Sequence, residues 1–336
     1  MKKTRIFAAA TAAVMTIAGM SACSSQTESG AQGGAENTEK EYTVAIVQPM
    51  SHPSLNQIRE SIESTINASG KNIKVVFKNA EGDASMLTTI MQDLVSSNVD
   101  VIVPIATNTA QAAMAATSDI PIVFSAVSTP VEAGLVPSFD ETNGNITGVS
   151  DAISVEDIFG LAAELTPDAK TFGFVYCTSE INSVTGIERA KEYCDANGLS
   201  YKEATVTGTA DIQQAVTSLA NDVDAFFTLD DNTVASAMPT YAQVATDAGK
   251  PIYVGADSMV KDGGLATVGI DYTVLGKQTG ELVLRLYNGE KIADNHVERV
   301  SEFAKMINTD AASALGITIP ESLNGKFETI TTNTNN

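Results

Sequence analysis

Short apolar runs alternate with amphipathic stretches along most of this chain, beginning near residue 42. The run 42–47 (YTVAIV) is rich in β-branched residues and almost continuously apolar, which predicts a buried strand. Between residues 55 and 66 one leucine and three isoleucines recur at three- and four-residue spacing, which predicts one face of a helix. The alternation continues to residue 124, so this part of the chain predicts a parallel sheet that helices cover on both faces.

A second α/β unit begins near Thr171 and repeats the order of the first. Three pairs of segments also match in their residues, without gaps and in the same strand-and-helix context. The pairs are AIVQPMS (45–51) with GFVYCTS (173–179), VDVIVPIATNTAQAAM (99–114) with VDAFFTLDDNTVASAM (223–238), and PIVFSAVS (121–128) with PIYVGADS (251–258). The predicted fold class is therefore α/β, with two similar doubly wound parallel-sheet lobes.

The first 22 residues have the pattern of an export signal. Three basic residues precede an uncharged, alanine-rich run from Ile6 to Gly19, and small residues follow at 20–22. The apolar run is shorter than the roughly 20 residues that a membrane-spanning helix needs. Residues 1–22 are therefore predicted to be a signal peptide and not a membrane span.

Cys23 follows the small residues directly, as the lipidated cysteine does in a bacterial lipobox. Residues 24–40 (SSQTESGAQGGAENTEK) contain no large apolar side chain, so 23–40 is predicted to be a lipidated cysteine with a flexible tether. An ordinary cleaved signal with an incidental cysteine is the alternative. The anchored form places the protein outside the cytoplasm, on the outer face of a bacterial cell membrane.

The charge and the short motifs exclude several classes of protein. With 20 Lys and Arg against 41 Asp and Glu, the net charge is −21, which argues against binding nucleic acid. Phosphate-binding loops, dinucleotide fingerprints, zinc motifs and nucleophile elbows do not occur in the sequence, so we expect no enzyme, no cofactor and no metal. Cys177 and Cys194 form either a disulfide or two buried thiols.

Polar residues follow the apolar strands at matched places in both units. They lie at 51–54, 107–109 and 125–126 in the first unit and at 179–183, 230–232 and 257–258 in the second. Ligands of parallel α/β units bind beyond the carboxyl ends of the strands, so these residues meet in one cleft if the two units face each other. The alternative is that they only cap the helices that follow.

The chemistry of the two sides differs. The first unit supplies hydroxyls, an amide and helix N-termini, which suit a carboxylate. The second supplies Glu180, Asp230, Asp231 and Asp257, which suit an ammonium group. A zwitterion that bridges the two sides would satisfy both, which points to an amino acid.

Several motifs resemble those of bacterial substrate-binding lipoproteins of ABC importers, and more narrowly of the tryptophan/tyrosine-type family. The motifs are QPMSHPSL (48–55), NAEGD (79–83), SEINS (179–183), DNTVAS (231–236) and GITIPES (316–322). The resemblance implies a type I periplasmic-binding fold with a three-strand hinge that crosses near 147–151, 264–265 and 293–295. It implies a first lobe of 41–148 plus 265–293 and a second lobe of 149–264 plus 294–330.

The same resemblance implies a set of ligand-binding residues. Ser51, His52 and Ser54 would line the entrance, and Thr107, Asn108 and Ser125 would hold a carboxylate. From the second lobe the contacts would be Glu180, Asn182, Ser183, Asp231 and Asn232, with Asp257 and Asp271 at further strand ends. Tyr176, Tyr253 and Tyr272 lie near strand ends, where stacking on a ligand and core packing are both open.

The function implied by the resemblance is transport without catalysis. The protein would be a monomer that closes on an amino acid, expected to be aromatic, and delivers it to an ABC permease with its ATPase. The alternative is an extracellular sensor for an amino-acid-like or nucleoside-like solute, without a role in transport. Closure of two lobes around the ligand is common to both hypotheses.

Overall fold

The computed structural model describes residues 41–333 of the chain. The predicted signal peptide (1–22), the lipidated Cys23 and the tether up to residue 40 lie outside these residues. Within residues 41–333, no helix has both the length and the apolar character needed to cross a membrane.

The first sheet takes its main strands from residues 42–150. Its order is β11-β5-β4-β3-β1-β2, and all of its strands pair in parallel. The elements of this part of the chain are β1 (Tyr42–Gln48), α1 (Pro53–Ala68), β2 (Ile73–Asn79), α2 (Ala84–Ser96), β3 (Val101–Pro104), α3 (Thr107–Ala116), β4 (Ile122–Ser125) and β5 (Ile146–Ser150).

The second sheet has the order β13-β12-β10-β9-β8-β6-β7. The antiparallel pair in it joins β10 to β12, and the other strands pair in parallel. The elements from 155 to 270 are α4 (Val155–Leu165), β6 (Thr171–Cys177), α5 (Ile181–Asn197), β7 (Ser200–Val206), α6 (Ile212–Leu219), β8 (Ala225–Thr228), α7 (Asn232–Ser236), α8 (Met238–Asp247), β9 (Ile252–Val254), α9 (Asp257–Lys261) and β10 (Ala266–Ile270).

The last part of the chain contributes to both sheets. Its elements are α10 (Tyr272–Tyr287), β11 (Glu298–Arg299), β12 (Phe303–Asn308), α11 (Thr309–Ala314) and β13 (Glu328–Ile330), with short 3₁₀ helices at Ile292–Asp294 and Glu321–Leu323; a further 3₁₀ helix, Thr209–Asp211, precedes α6. We call the first sheet with α1–α3 and α10 the first lobe, and the second sheet with its helices the second lobe. The predicted α/β class with two parallel-sheet lobes is confirmed.

The chain passes between the lobes three times, after β5, after β10 and after β11. The second crossing was predicted at 264–265, but β10 (Ala266–Ile270) pairs with β9 and β12 in the second sheet. The third was predicted at 293–295, but Glu298 and Arg299 still pair with β5 in the first sheet. Both crossings therefore lie a few residues later, because the strands before them continue their pairing.

Helix α10 returns from the second sheet and packs on α1 of the first lobe. A Cβ added at Gly276 would lie 2.6 Å from the carbonyl oxygen of Ile58, and one at Gly280 would lie 2.8 Å from the Thr65 side chain. Ser61 also donates a hydrogen bond to the carbonyl oxygen of Thr273 at 2.7 Å. The two glycines thus allow an approach between the helices that a side chain would prevent.

Candidate functional site

Loops at the carboxyl ends of the two sheets contact each other directly. His52 Nε2 lies 3.2 Å from Asn232 Oδ1, and the hydroxyls of Ser54 and Ser258 lie 2.5 Å apart. Asn108 donates to the carbonyl oxygen of Ser179 at 3.3 Å. These contacts join residues of the first lobe to residues of the second, so the structure shows a closed cleft. They also bring together side chains that the matched strand ends predicted to meet.

A small cavity of about 10 Å³ lies inside this cleft, which is room for roughly one water molecule. Strand-end residues of both lobes surround it: Leu55, Ala106, Thr107, Ala126, Asp151, Asn182, Asp230, Asn232 and Tyr272. A molecule the size of an amino acid would enter only after the lobes part.

A larger cavity of about 640 Å³ lies between the same loops. Its lining includes the immediate chain neighbours of the small cavity's residues, namely Asn108 and Thr233, together with Glu180. Pro49, Met50 and Leu87 give part of its wall an apolar character. The cleft therefore contains a small polar chamber and, beside it, a larger space with mixed lining.

The first lobe presents backbone to the small cavity. Ala106 precedes α3 with a φ of 73°, and Ala126 follows β4 with a φ of 57°. Residues other than glycine seldom adopt this left-handed region, which costs of the order of 1 kcal/mol or more each. Among the described residues, no side chain caps the N-terminus of α3, so the amides of its first turn remain available to an anion.

Two carboxylates from different lobes face the small cavity, and we call Asp151 and Asp230 the cavity pair. Asp151 is buried, with 2% of its surface exposed, and Asp230 is partly buried. Ser128 contacts both: its hydroxyl lies 2.8 Å from Asp151 Oδ1 and also bonds to Asp230 Oδ2. Burial, followed by the negative charge of Asp230, raises the pKa of Asp151 well above its usual value, and burial also raises the pKa of Asp230.

Glu180 and Asp231 form a second buried pair, which we call the capping pair. Glu180 accepts four hydrogen bonds, from the backbone and side chain of both Asn232 and Thr233. Asp231 is the N-cap of α7 and accepts from the backbone N–H groups of Val234 and Cys177, at 2.8 and 2.6 Å. Burial and the neighbouring Glu180 raise the pKa of Asp231 to about 7. The carboxylates of this pair are thus engaged inside the second lobe.

The other residues predicted for the site differ in their position relative to the cavities. Thr107, Asn182 and Asn232 line the small cavity, whereas Ser51 and Asn108 line the larger one. His52 is buried between the lobes, and burial lowers its pKa to about 4, so the ring is neutral at pH 7.

Four further predicted residues are engaged or buried elsewhere in the fold. Ser125 bonds to Thr279 at 2.8 Å, Asp257 pairs with Lys261 at 2.5 Å, and Asp271 caps α10. Ser183 is buried in α5, outside the lining of either cavity. The capping alternative raised for strand-end residues therefore holds for Asp231 and Asp271.

Sequence reasoning omitted Asp151, and it named Asp230 among the carboxylates that suit an ammonium group but kept only Asp231 in the ligand-binding set. Asp151 ends the first crossing between the lobes, and its position next to a predicted hinge was the available signal. Of the three tyrosines that were left open, Tyr272 lines the small cavity. Tyr253 is fully buried and bonds to Thr166, and Tyr176 bonds to Glu203.

The two cysteines of the described region are buried free thiols. Cys177 Sγ lies 3.1 Å from the Ser179 hydroxyl, and burial raises the pKa of Cys194 to about 11. Of the two alternatives that the sequence left open, the structure has the thiols.

The chain is similar to known proteins in both its sequence and its structure. The chain is 34% identical to a tyrosine-binding protein of Clostridioides difficile over 321 residues, which cover 94% of this chain and 93% of that one. Its structure resembles the ABC domain from Streptococcus pneumoniae in complex with L-Trp, with a TM-score of 0.83 and 38% identity over 86% of this chain and 99% of that one.

A ligand-free, open substrate-binding protein from Clostridium difficile is also similar, at 34% identity over 87% of this chain and all of that one. Its TM-score is 0.68, lower than that of the L-Trp complex at similar identity. More distant structures, among them the solute-binding protein from Thermotoga lettingae at 16% identity, share the fold alone.

A family model described as ABC transporter substrate binding protein matches residues 43–329. This range includes both sheets, except for their terminal residues Tyr42 and Ile330, and all three crossings between them. The chain therefore belongs to the family of ABC transporter substrate-binding proteins, with the type I periplasmic-binding fold and a binding role in place of an enzymatic one.

Proposed function

We propose that this protein binds an aromatic amino acid between its two lobes and delivers it to an ABC permease. Two similar proteins support this, because one is named for tyrosine and the other was solved with L-Trp. Family members work outside the cytoplasm, and the lipobox at Cys23 supports attachment of this one to the membrane by a lipid.

The arrangement that carries the proposal is the pairing of opposite chemistries in one small cavity. Asp151 and Asp230 are partly or wholly buried carboxylates on one side, and the uncapped N-terminus of α3 adjoins the cavity at Ala106. An ammonium group between the two carboxylates would offset their repulsion, and a carboxylate at α3 would accept from its free amides. An α-amino acid carries both groups on one carbon.

The binding residues follow from this placement. Asp151 and Asp230 would accept hydrogen bonds from the ligand's ammonium group. Thr107 at the start of α3 would hold the carboxylate, while Asn182 and Asn232 complete the polar wall. Glu180 and Asp231 would act indirectly, by holding the loop that carries Asp230 in place.

Two features of the cleft could contact the side chain of the ligand. Tyr272 lines the small cavity and offers an aromatic ring, and the larger cavity of about 640 Å³ begins one residue away along α3 and α7. Met50 and Leu87 give that space apolar surface for a ring. Opening of the lobes at the three crossings would let the ligand enter and leave.

Isothermal titration calorimetry with L-tyrosine and L-tryptophan tests the proposal directly. The matched probes are tyramine, which lacks the carboxylate, and 3-(4-hydroxyphenyl)propionic acid, which lacks the amine. We expect binding of the amino acids and a loss of at least about 100-fold for either analogue, because each leaves a buried polar group without its partner. Equal binding of tyramine and tyrosine would contradict the carboxylate site, and an absence of binding by both amino acids would contradict the proposed ligand class.

A further inference from the structure

The hydroxyl of Ser128 lies between the two carboxylates of the cavity pair. It contacts Asp151 Oδ1 at 2.8 Å and also bonds to Asp230 Oδ2. A serine hydroxyl has one proton and can donate it to one acceptor only. The second contact is a hydrogen bond only if the carboxyl group on that side carries a proton and donates it to the serine oxygen. One proton on the cavity pair would therefore make both contacts hydrogen bonds in this closed arrangement.

The groups around the cavity pair do not supply enough positive charge to offset the repulsion between the two carboxylates. Arg189 on α5 contributes a positive charge that lowers the pKa of both carboxyls, but burial is the larger influence and raises them. Tyr272 on α10 is a neutral phenol, because burial and the charges of Asp151, Asp230 and Asp257 raise its pKa well above the usual value. Asp257 on α9 adds negative charge, paired with Lys261. Asn182 on α5 is a neutral amide donor near Asp230.

The two carboxylates belong to different lobes. Ser128 and Asp151 follow β4 and β5 of the first sheet, whereas Asp230 follows β8 of the second. When the lobes part, Asp230 leaves the other two residues and both carboxylates gain access to water. Each then ionises with an ordinary aspartate pKa of about 3.9.

We propose that the cleft closes on either an ammonium group or a proton at the cavity pair, and that with neither present the two carboxylates hold the lobes apart. The part of this inference that concerns an ammonium group rests on the proposed function. At neutral pH the empty protein is open, because closing would bury two like charges at one site. In acid the shared proton removes one charge and the empty protein closes. When an ammonium group enters, its N–H bonds go to the carboxylates and the shared proton passes to water.

Linkage between proton binding and closure gives the direction of the pH effect. The closed pair has raised pKa values and the open pair has ordinary ones, so the closed form binds protons more tightly, and lowering the pH favours closure. For the same reason a proton competes with the ligand's ammonium group. Affinity for the amino acid therefore falls as the pH drops, by up to about tenfold per pH unit.

Small-angle X-ray scattering of the purified protein, without added ligand, tests this across the range from neutral to acidic pH at constant ionic strength. We expect the radius of gyration to fall to the value seen with saturating L-tyrosine, with a midpoint at least about one unit above the ordinary aspartate pKa of about 3.9. The variant Asp230→Asn has one fewer carboxylate and supplies an amide donor to Ser128. We expect it to be closed without ligand at neutral pH, with no pH transition.

Asp222→Asn is the matched control, because Asp222 is an exposed carboxylate of the same lobe. It should behave as the unmodified protein does. A pH-independent radius in the unmodified protein, or an open Asp230→Asn variant at neutral pH, would overturn the proton inference even if L-tyrosine closes the cleft. Failure of L-tyrosine and L-tryptophan to close it at neutral pH would overturn the proposed function and the ammonium half, whatever acid does.

Discussion

The cleft contains two pairs of buried or partly buried carboxylates, and they differ in the hydrogen-bond donors that contact them. The capping pair, Glu180 and Asp231, receives four hydrogen bonds at one residue and two at the other, all from the second lobe. The cavity pair, Asp151 and Asp230, shares one serine hydroxyl, with smaller help from each residue's own backbone and from Asn182. A charge with enough donors is structural, whereas a charge with too few remains available to a ligand.

The same difference in donors separates the roles of two residues of the same type. Asp230 and Asp231 are neighbours in the chain, yet one faces the cavity between the lobes and the other caps a helix. Substitutions of the two pairs should therefore act on different quantities. Loss of a cavity-pair charge should weaken ligand binding, whereas substitution of the capping pair should change the free energy of unfolding or its pH dependence.

The largest effect should come from Asp230→Asn measured by calorimetry with L-tyrosine. Removal of one partner from a buried charged contact costs about 2–4 kcal/mol, so affinity should fall about 30- to 1,000-fold. The free energy of unfolding without ligand should stay equal or rise, because the repulsion with Asp151 is gone. Unchanged affinity with lower stability would assign Asp230 to the structural class instead.

Glu180→Gln should act on stability. The amide retains one acceptor oxygen, but its NH₂ group faces either the two donors of Asn232 that had bonded to Oε2 or the two donors of Thr233 that had bonded to Oε1. Buried donors without partners cost about 1–3 kcal/mol, so the free energy of unfolding in urea should fall by about that amount. If the affinity of the fully folded Glu180→Gln variant for L-tyrosine fell as far as that of Asp230→Asn, the assignment of Glu180 to a structural role would be wrong.

Asp231→Asn should change the pH dependence of stability. The pKa of Asp231 is raised from 3.8 to about 7 in the folded protein, so between these values the folded state binds more protons than the unfolded state. This contribution is present at low pH and is lost as the pH rises through about 7. Its slope is at most about 1.4 kcal/mol per pH unit.

Urea unfolding of the unmodified protein and of Asp231→Asn at several pH values measures the difference. We expect the unmodified protein to lose stability relative to the variant as the pH rises from about 4 to above 7, the window between the two pKa values. Parallel curves would show that Asp231 is fully ionised in the fold and that the capping bonds outweigh its burial.

His52→Gln should give the smallest effect. The contact between His52 Nε2 and Asn232 Oδ1 at 3.2 Å crosses the cleft between neutral groups, and such a hydrogen bond contributes about 0.5–1.5 kcal/mol. Calorimetry should show affinity for L-tyrosine reduced about 2- to 10-fold. A reduction as large as that of Asp230→Asn would mean that His52 contacts the ligand itself.

Much of the fold was predictable because the sheets bury continuous apolar strands. Residues 44–47 are fully buried in β1 and form the run that first indicated a strand. The carboxyl-terminal region was less predictable. Residues 329–336 (TITTNTNN) have no apolar pattern that would predict a strand, yet Glu328–Ile330 pairs with β12 and Thr332 bonds to Asn308. A short edge strand is held by backbone hydrogen bonds, which leave no apolar pattern in the sequence.

The site was predictable as a place but not residue by residue. Matched strand ends located the cleft, because parallel strands bring their carboxyl ends to one edge. The direction of adjacent side chains, as at Asp230 and Asp231, depends on the backbone of the loop after β8. Asp151 has no counterpart in the matched segments, since it follows β5, at the crossing where the repeat is interrupted.

The close packing of α10 on α1 fixes what each half of the cleft contributes to capture. Tyr272 follows β10 of the second lobe in the chain, but its helix packs on α1 at Gly276 and Gly280. Tyr272 and Leu55 therefore lie on the first lobe and line the small cavity with the start of α3, whereas Asp230 reaches that cavity from the second lobe. In the proposed binding mode a solute would first contact the first lobe, where Asp151 meets its ammonium group, and Asp230 would complete that contact only as the lobes close.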